Sequence, residues 1–282
     1  MNYKKHESAV VENSSVGDGS TVGIGSILRN VRTGVGCAIG DYVVVEGPVE
    51  IAEGVEIASH CYLRGPLTVK KSVAVGAHAT IIGPAAIAEF ALVEPGSVVN
   101  KNVPANAVVS GNPARIVRYQ NALAGSSPFL HGKPTDGVVQ TKVPGVTLHQ
   151  LPLFEDLRGN LSFAEIERHI PFEVKRYFLT FDVATEEVRG EHAHRTLSQF
   201  LISVHGRVHI VADNGRELEE FILDRPNVAL TVPPMTWSVQ YRFSQGAVLL
   251  VLCSDFYDPD DYIRDYAKFL AEAGGLESGK LE

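Results

Sequence analysis

The chain has 282 residues, room for two domains of about 100–150 residues each. Its 45% hydrophobic and 21% charged residues are those of a globular protein, and a formal net charge of −8 excludes a sequence-independent nucleic-acid binder, which needs a basic face. No run of about 18 apolar residues occurs and the opening MNYKKHESAV has no apolar core, so neither a membrane span nor a secretion signal is expected. Cys37, Cys61 and Cys253 are scattered and in no CxxC spacing. Reduced thiols in a cytoplasmic protein are therefore expected, without a disulfide framework or a structural zinc site.

The first half is a repeat. Aliphatic residues recur every six positions from Ile39 through Val45, Ile51, Ile57, Leu63, Val69, Val75, Ile81, Ile87 and Val93 to Val99. Val16, Val22 and Leu28 extend the series upstream in a register shifted by one residue, with the slip near RNVRTGVG. A helix needs a 3.6-residue period and does not tolerate this glycine density. A six-residue period with Gly-rich turns predicts a β-solenoid in which each turn buries one aliphatic side chain. At the end of the repeat, NPARIVR reads as a short helix with Pro113 at an early position.

Residues 119–145 lack periodicity and read as a linker between a repeat domain over 1–118 and a second domain over 146–282. In the second domain RYFLTFDV, SQFLISVHGRVHIVAD, LEEFILD, NVALTVPP, WSVQYRFS and AVLLVLCSD are strand-like and separated by short turns, which predicts an antiparallel barrel or jelly roll of cupin type. A helix over DDYIRDYAKFLAEA, capped by Asp258 or Asp260 and followed by Gly274, closes the pattern.

Within RGEHAHRTLSQFL, His192 and His194 stand two apart and project to one face of a strand. Metal binding is one reading. Ser198 and Gln199 stand where a carboxylate ligand would follow, VPPMTWSVQ offers no distant His, and two imidazoles are too few for a tight site. Proton transfer at a carbon beside a carbonyl suits the pair better, with Tyr177 on the preceding strand as a partner donor. Arg158, Arg176 and Arg195 are candidates for a diphosphate, because guanidinium forks match phosphate oxygens.

In the repeat, His60 and His78 are eighteen residues apart with Tyr42 one coil below, so the three form a column at the coil spacing of about 4.8 Å. This column is a second candidate site.

Two resemblances follow from these residues. The repeat, with its ending VEPGSVVNKNVPANAVVSGNPARIVR, resembles the left-handed β-helix acyltransferases. Stretches DLRGNLSFAE, VKRYFLTFDV, RGEHAHRTLSQFL, VPPMTWSVQYRFS and LCSDFYDPDDYIRDY together resemble the dTDP-sugar 3,4-ketoisomerases, metal-free cupins. The two-domain layout is similar to bifunctional ketoisomerase/aminosugar N-acetyltransferases. The resemblance implies a mainly β protein, an N-terminal left-handed parallel β-helix followed by a cupin. It implies isomerisation of dTDP-4-keto-6-deoxyglucose through an enediol with no metal. His192 and His194 are the catalytic pair, either being the base, with Tyr177 and Arg189 in the same pocket. Gln199, Trp237 and Gln240 join the substrate-facing set. Ser238 stands where many members have a His after the Trp. For the solenoid it implies acetyl transfer from acetyl-CoA to a dTDP-3-amino-3,6-dideoxyhexose, with Lys101, Arg115 and Arg118 at the coenzyme A phosphates. Typical members interrupt the solenoid with a Thr-Asn-Asp loop, whereas these hexads run straight through. Acetyl transfer therefore uses His60 or His78, or the solenoid is a trimerising scaffold. Trimers through the solenoid and dimers through the cupin would together give a hexamer.

Overall fold

A computed structural model describes residues 2–120, 137–185 and 187–275. The chain divides into two compact units, Met1–Gln120 and Asn121–Glu282.

The first unit is a β-solenoid of about six turns. The hexad positions from Ile39 to Val99 are all at most 3% exposed, so the predicted series is the solenoid's core. On one face Lys4–Lys5, Thr21–Val22, Ala38–Ile39, Glu56–Ile57, Ala74–Val75, Leu92–Val93 and Ala107–Gly111 pair in parallel, one strand per coil. The other two faces are joined because Val44–Ile51 runs round a corner. Its first half pairs with Tyr62–Arg64 and its second half with Leu67–Val69.

The register slip has a local cause. Thr21 pairs with Ala38, 17 residues on, whereas Ala38 pairs with Glu56, 18 residues on. Between them Arg29 faces Glu46 but Val31 faces Val49, a bulge that takes up the extra residue. Gly47 sits at that corner with φ +95°, a conformation open to glycine.

Ala114–Tyr119, expected to be helical, is a strand. It folds back antiparallel on Ala107–Gly111 and buries Tyr119. The last coil presents a free strand edge, and the β-branched Ile116 and Val117 pair with it more readily than they form an isolated helical turn. Pro113 lies in the hairpin turn.

In the second unit, two antiparallel sheets pack face to face. One has the strand order Gly137–Gln140, Thr147–Gln150, Val228–Val232, Gln199–His205, Val248–Cys253, Arg176–Phe181. The other runs Leu218–Leu223, Val208–Asp213, Trp237–Tyr241, Arg189–His194, Tyr262–Ile263. Leu201, Leu230, Leu249 and Val251 of the first sheet meet Val208, Ile210, Phe221 and Leu223 of the second in the core. On the first sheet's outer face Phe200, Ile202 and Ala229 are covered by Leu151, Ile170, Phe172 and Val174. The expected linker is thus shorter than 119–145, since Tyr119 belongs to the first unit and Gly137–Gln140 to the second; residues 121–136 lie outside the described residues.

The closing segment also departs from expectation. Asp258 caps only a short 3-10 turn, Pro259–Asp261, where it accepts the Asp260 amide. Tyr262–Ile263 then pairs with Ala193 and His194, so the chain cannot yet be helical. The helix spans Tyr266–Gly275, and Asp265 caps it by accepting the Lys268 amide at 2.8 Å. Phe269 is fully buried and, with Tyr266, packs against Trp237. Replacing Phe269 by Ala is expected to lower the stability of this unit by about 3–5 kcal/mol, measured as a shift of its unfolding transition in denaturant.

Candidate active site

The site begins with a distortion in the strand Arg189–His194. Its pairing with Trp237–Tyr241 shifts between Gly190 and His192, and Gly190 and Glu191 have φ of +82° and +53°. A Cβ at Gly190 would lie 2.5 Å from the Ser238 carbonyl oxygen, so only glycine fits this β-bulge. The bulge turns the Gly190 carbonyl towards its own strand, where it accepts a hydrogen bond from His192 Nδ1 at 2.9 Å.

His194 is held from the closing segment. Its Nδ1 lies 2.7 Å from Asp261 Oδ2, and Asp261 Oδ1 accepts both the Thr196 amide at 2.8 Å and the Thr196 hydroxyl at 2.9 Å. Burial favours a neutral Asp261 carboxyl, but the Thr196 groups and His194 outweigh it and hold the carboxyl below its ordinary value. Asp261 is therefore an ionised acceptor, and His194 carries its proton on Nδ1.

Both Nδ1 atoms are committed as donors, so the two Nε2 lone pairs are left over. They face each other at 3.2 Å, with the Gln199 amide 3.3 Å from His194 Nε2. Burial pushes His192 down to about 4 and also lowers His194, despite its bond to Asp261. At neutral pH the pair is uncharged and has space for one proton, bridged between the two rings.

Tyr262 packs on both rings, with centroids 4.8 Å from His192 and 4.3 Å from His194. Arg264 lies 4.3 Å over the Tyr262 ring, and Arg176 hydrogen-bonds the Tyr262 side chain and acts electrostatically on His194. The cluster therefore combines a neutral base pair with two guanidinium groups, a combination suited to proton abstraction that develops negative charge.

The other predicted residues divide. Gln199 joins the pair directly, and Gln240 donates to Ser238, which stands opposite His192. Arg189 is exposed and pairs with Gln240. Tyr177 is not in the pocket. It is 67% exposed and paired with Leu252 on the outer face of its sheet, because it follows the inward-facing Arg176 and neighbours alternate. Trp237 is buried beneath the C-terminal helix, on the outward face of the other sheet. Arg195 is occupied by Glu272, at 2.9 and 3.1 Å, and by the Asp260 carbonyl. Arg158 sits exposed at a hairpin tip, bound to Asp156. Asp261, Tyr262 and Arg264 were not anticipated. Their stretch, DDYIRDY, was read as helix, and only its strand pairing with Ala193 and His194 brings it to the site.

In the solenoid the predicted column forms. Tyr42, His60 and His78 all occupy a left-handed corner, with φ of +54°, +63° and +59°. Their rings stack at 5.2 and 4.9 Å, tilted by 14° and 2°. All three are exposed, and among the described residues neither imidazole makes a side-chain hydrogen bond. Arg118 lies 4.0 Å from Glu94, and Arg115 bonds the Ala114 carbonyl. Lys101 is exposed just after the strand Val98–Val99.

Asp261→Ala would remove the acceptor that fixes His194. Its expected effects are loss of the Nδ1–H form, read from the imidazole nitrogen resonances, and a stability loss of about 1–3 kcal/mol from the unpaired buried ring. An unchanged His194 spectrum would contradict the assigned role of Asp261.

Residues 144–274 match the family model described as FdtA: WxcM-like, C-terminal. The TDP-4-oxo-6-deoxy-alpha-D-glucose-3,4-oxoisomerase of Aneurinibacillus thermoaerophilus is 43% identical over 114 residues, which is 40% of this chain and 82% of that protein. A 3,4-ketoisomerase from Helicobacter canadensis is 40% identical, covering 46% of this chain and 98% of that one, with a TM-score of 0.45. The sugar 3,4-ketoisomerase QdtA of Thermoanaerobacterium thermosaccharolyticum, solved with TDP, is 35% identical over 48% of this chain and 98% of its own, with a TM-score of 0.47. Through its C-terminal unit, the chain belongs to the FdtA/WxcM-like family of sugar 3,4-ketoisomerases.

Proposed function

We propose that the C-terminal unit interconverts dTDP-4-keto-6-deoxyglucose and its 3-keto isomer by proton transfer through His192 and His194. The observation that carries this reading is the chain Gly190 carbonyl–His192–His194–Asp261, which leaves two lone pairs facing one proton site. Support for the substrate comes from the names of the relatives, one an oxoisomerase of TDP-4-oxo-6-deoxyglucose and another solved with TDP.

The C4 ketone acidifies the hydrogen on C3. A neutral Nε2 removes that proton, and the electron pair of the C3–H bond forms the C3–C4 double bond of an enediolate. Arg176 and Arg264 stabilise the negative oxygen. The imidazolium proton, shared between the rings and balanced by Asp261, is delivered to C4. The hydroxyl on C3 gives up its proton as C3 becomes the carbonyl, so the net change is one hydrogen moved from C3 to C4.

His192→Asn and His194→Asn are each expected to lower kcat by about 10²–10⁴. Because burial lowers both imidazoles, the acid limb of kcat/KM is expected below the ordinary imidazole value of about 6.5, with activity lost as falling pH protonates the pair. In a single turnover of substrate deuterated at C3, part of the label is expected at C4. Complete exchange with solvent would rule out a proton retained between the rings.

The solenoid is proposed to transfer acetyl from acetyl-CoA to the amine of a dTDP-3-amino-3,6-dideoxyhexose. An imidazole of the exposed His60–His78 pair takes the amine proton as the C–N bond forms and the C–S bond breaks, releasing the thiol. Thiol release from acetyl-CoA and the aminosugar, reduced at least tenfold in a His60→Ala/His78→Ala double variant, is the expected result. No release from a chain that still isomerises would assign the solenoid to the scaffold role.

A further inference from the structure

The outer face of the first sheet in the C-terminal unit holds a second group of nitrogen donors, separate from the His192–His194 pair. His149 is 6% exposed, and its ring meets Phe200 edge-on at 5.0 Å. Its neighbours on this face, Leu151, Ile170 and Phe200, are apolar. Burying an imidazole there costs free energy that an aliphatic side chain would not.

The ring is anchored on one side only. Nε2 lies 2.9 Å from the Thr147 hydroxyl and 2.8 Å from the Thr231 hydroxyl, two residues paired across adjacent strands. Nδ1 has no partner among the described residues, yet it is not one of the sealed, unpartnered atoms of the fold. It therefore opens onto the cavity that the ring lines, a space of about 240 Å³.

Two further nitrogen groups line the same cavity. Glu165 donates its amide to His169 Nδ1 at 2.9 Å, so a neutral His169 carries its proton on Nε2 and donates from there. Arg168 lines the wall with an exposed guanidinium, one nitrogen of which is bound to Glu165 at 2.6 Å. Burial, with His169 nearby, holds His149 down at about 4, so at pH 7 it is a neutral donor. The remaining wall includes Val138, Leu151 and Pro171, which offer only carbon. The volume is below the roughly 300–1,000 Å³ of sites for drug-sized molecules, which limits the occupant to a small one.

We propose that this cavity binds a small organic oxyanion, a carboxylate or a phosphate monoester. Its charged end meets Arg168 and the two imidazoles, and its carbon end lies on Val138, Leu151 and Pro171. Donors of this kind give short, charge-assisted hydrogen bonds to an oxyanion.

Butyrate, glycerol 3-phosphate and inorganic phosphate, each titrated into the full chain, test the proposal by the imidazole resonances of His149 and His169, with the exposed His205 as control. Saturable shifts of both rings with at least one organic probe are expected, and the probe that binds identifies the head group. Arg168→Gln and His149→Gln should each weaken binding roughly tenfold or more. His149→Gln should leave isomerase turnover within about twofold, because the residue lies outside the catalytic cluster. Arg168 is on the surface, so its variant remains informative if His149→Gln does not fold. Absence of saturable shifts with every probe, binding of inorganic phosphate alone, or shifts unchanged in Arg168→Gln would overturn the proposal.

Discussion

The bond between His194 and Asp261 is the contact on which the catalytic arrangement depends. It joins residues 67 positions apart, and it forms only because the closing segment adds a strand beside Ala193 and His194. That strand brings Tyr262 onto both imidazoles and sets Arg264 above it. The helix that follows holds the segment down through Phe269 and Tyr266 on Trp237, and through Glu272 on Arg195. A buried imidazole without a carboxylate would be free in tautomer and orientation, and the partner removes both freedoms.

The second constraint is local. Without the bulge at Gly190 and Glu191, the carbonyl that binds His192 Nδ1 would point into the ladder. The strand gives up regular pairing at this position, and in return the inner ring is fixed. One histidine is thus oriented by its own backbone and the other by a distant carboxylate, and the two lone pairs converge.

Much of this was legible in the sequence. The hexads predicted every buried rung from Ile39 to Val99, because a solenoid's core is its period. The i, i+2 spacing placed His192 and His194 on one face, because strand alternation is a local rule. The same rule was enough to separate Arg176 from Tyr177, since adjacent strand residues cannot both face the pocket. What could not be read locally was long-range pairing. DDYIRDY and NPARIVR both resemble helices by composition, yet each is drawn into a strand by an open edge. Arg195 is a plausible phosphate ligand until Glu272 and the Asp260 carbonyl claim its donors. Asp261 carries no signal of its own in a chain with 33 acidic residues.

The corner at Gly47 bears on how the solenoid counts residues. Coils of 17 and 18 residues stand side by side, yet Tyr42 still stacks on His60 and His60 on His78. The extra residue is absorbed where the chain turns, and the ladders on either side resume pairing. Each face is therefore insulated from length changes at a distant corner. The stack behaves as an independent column of side chains, whose composition can change one rung at a time without re-registering the coils that carry it.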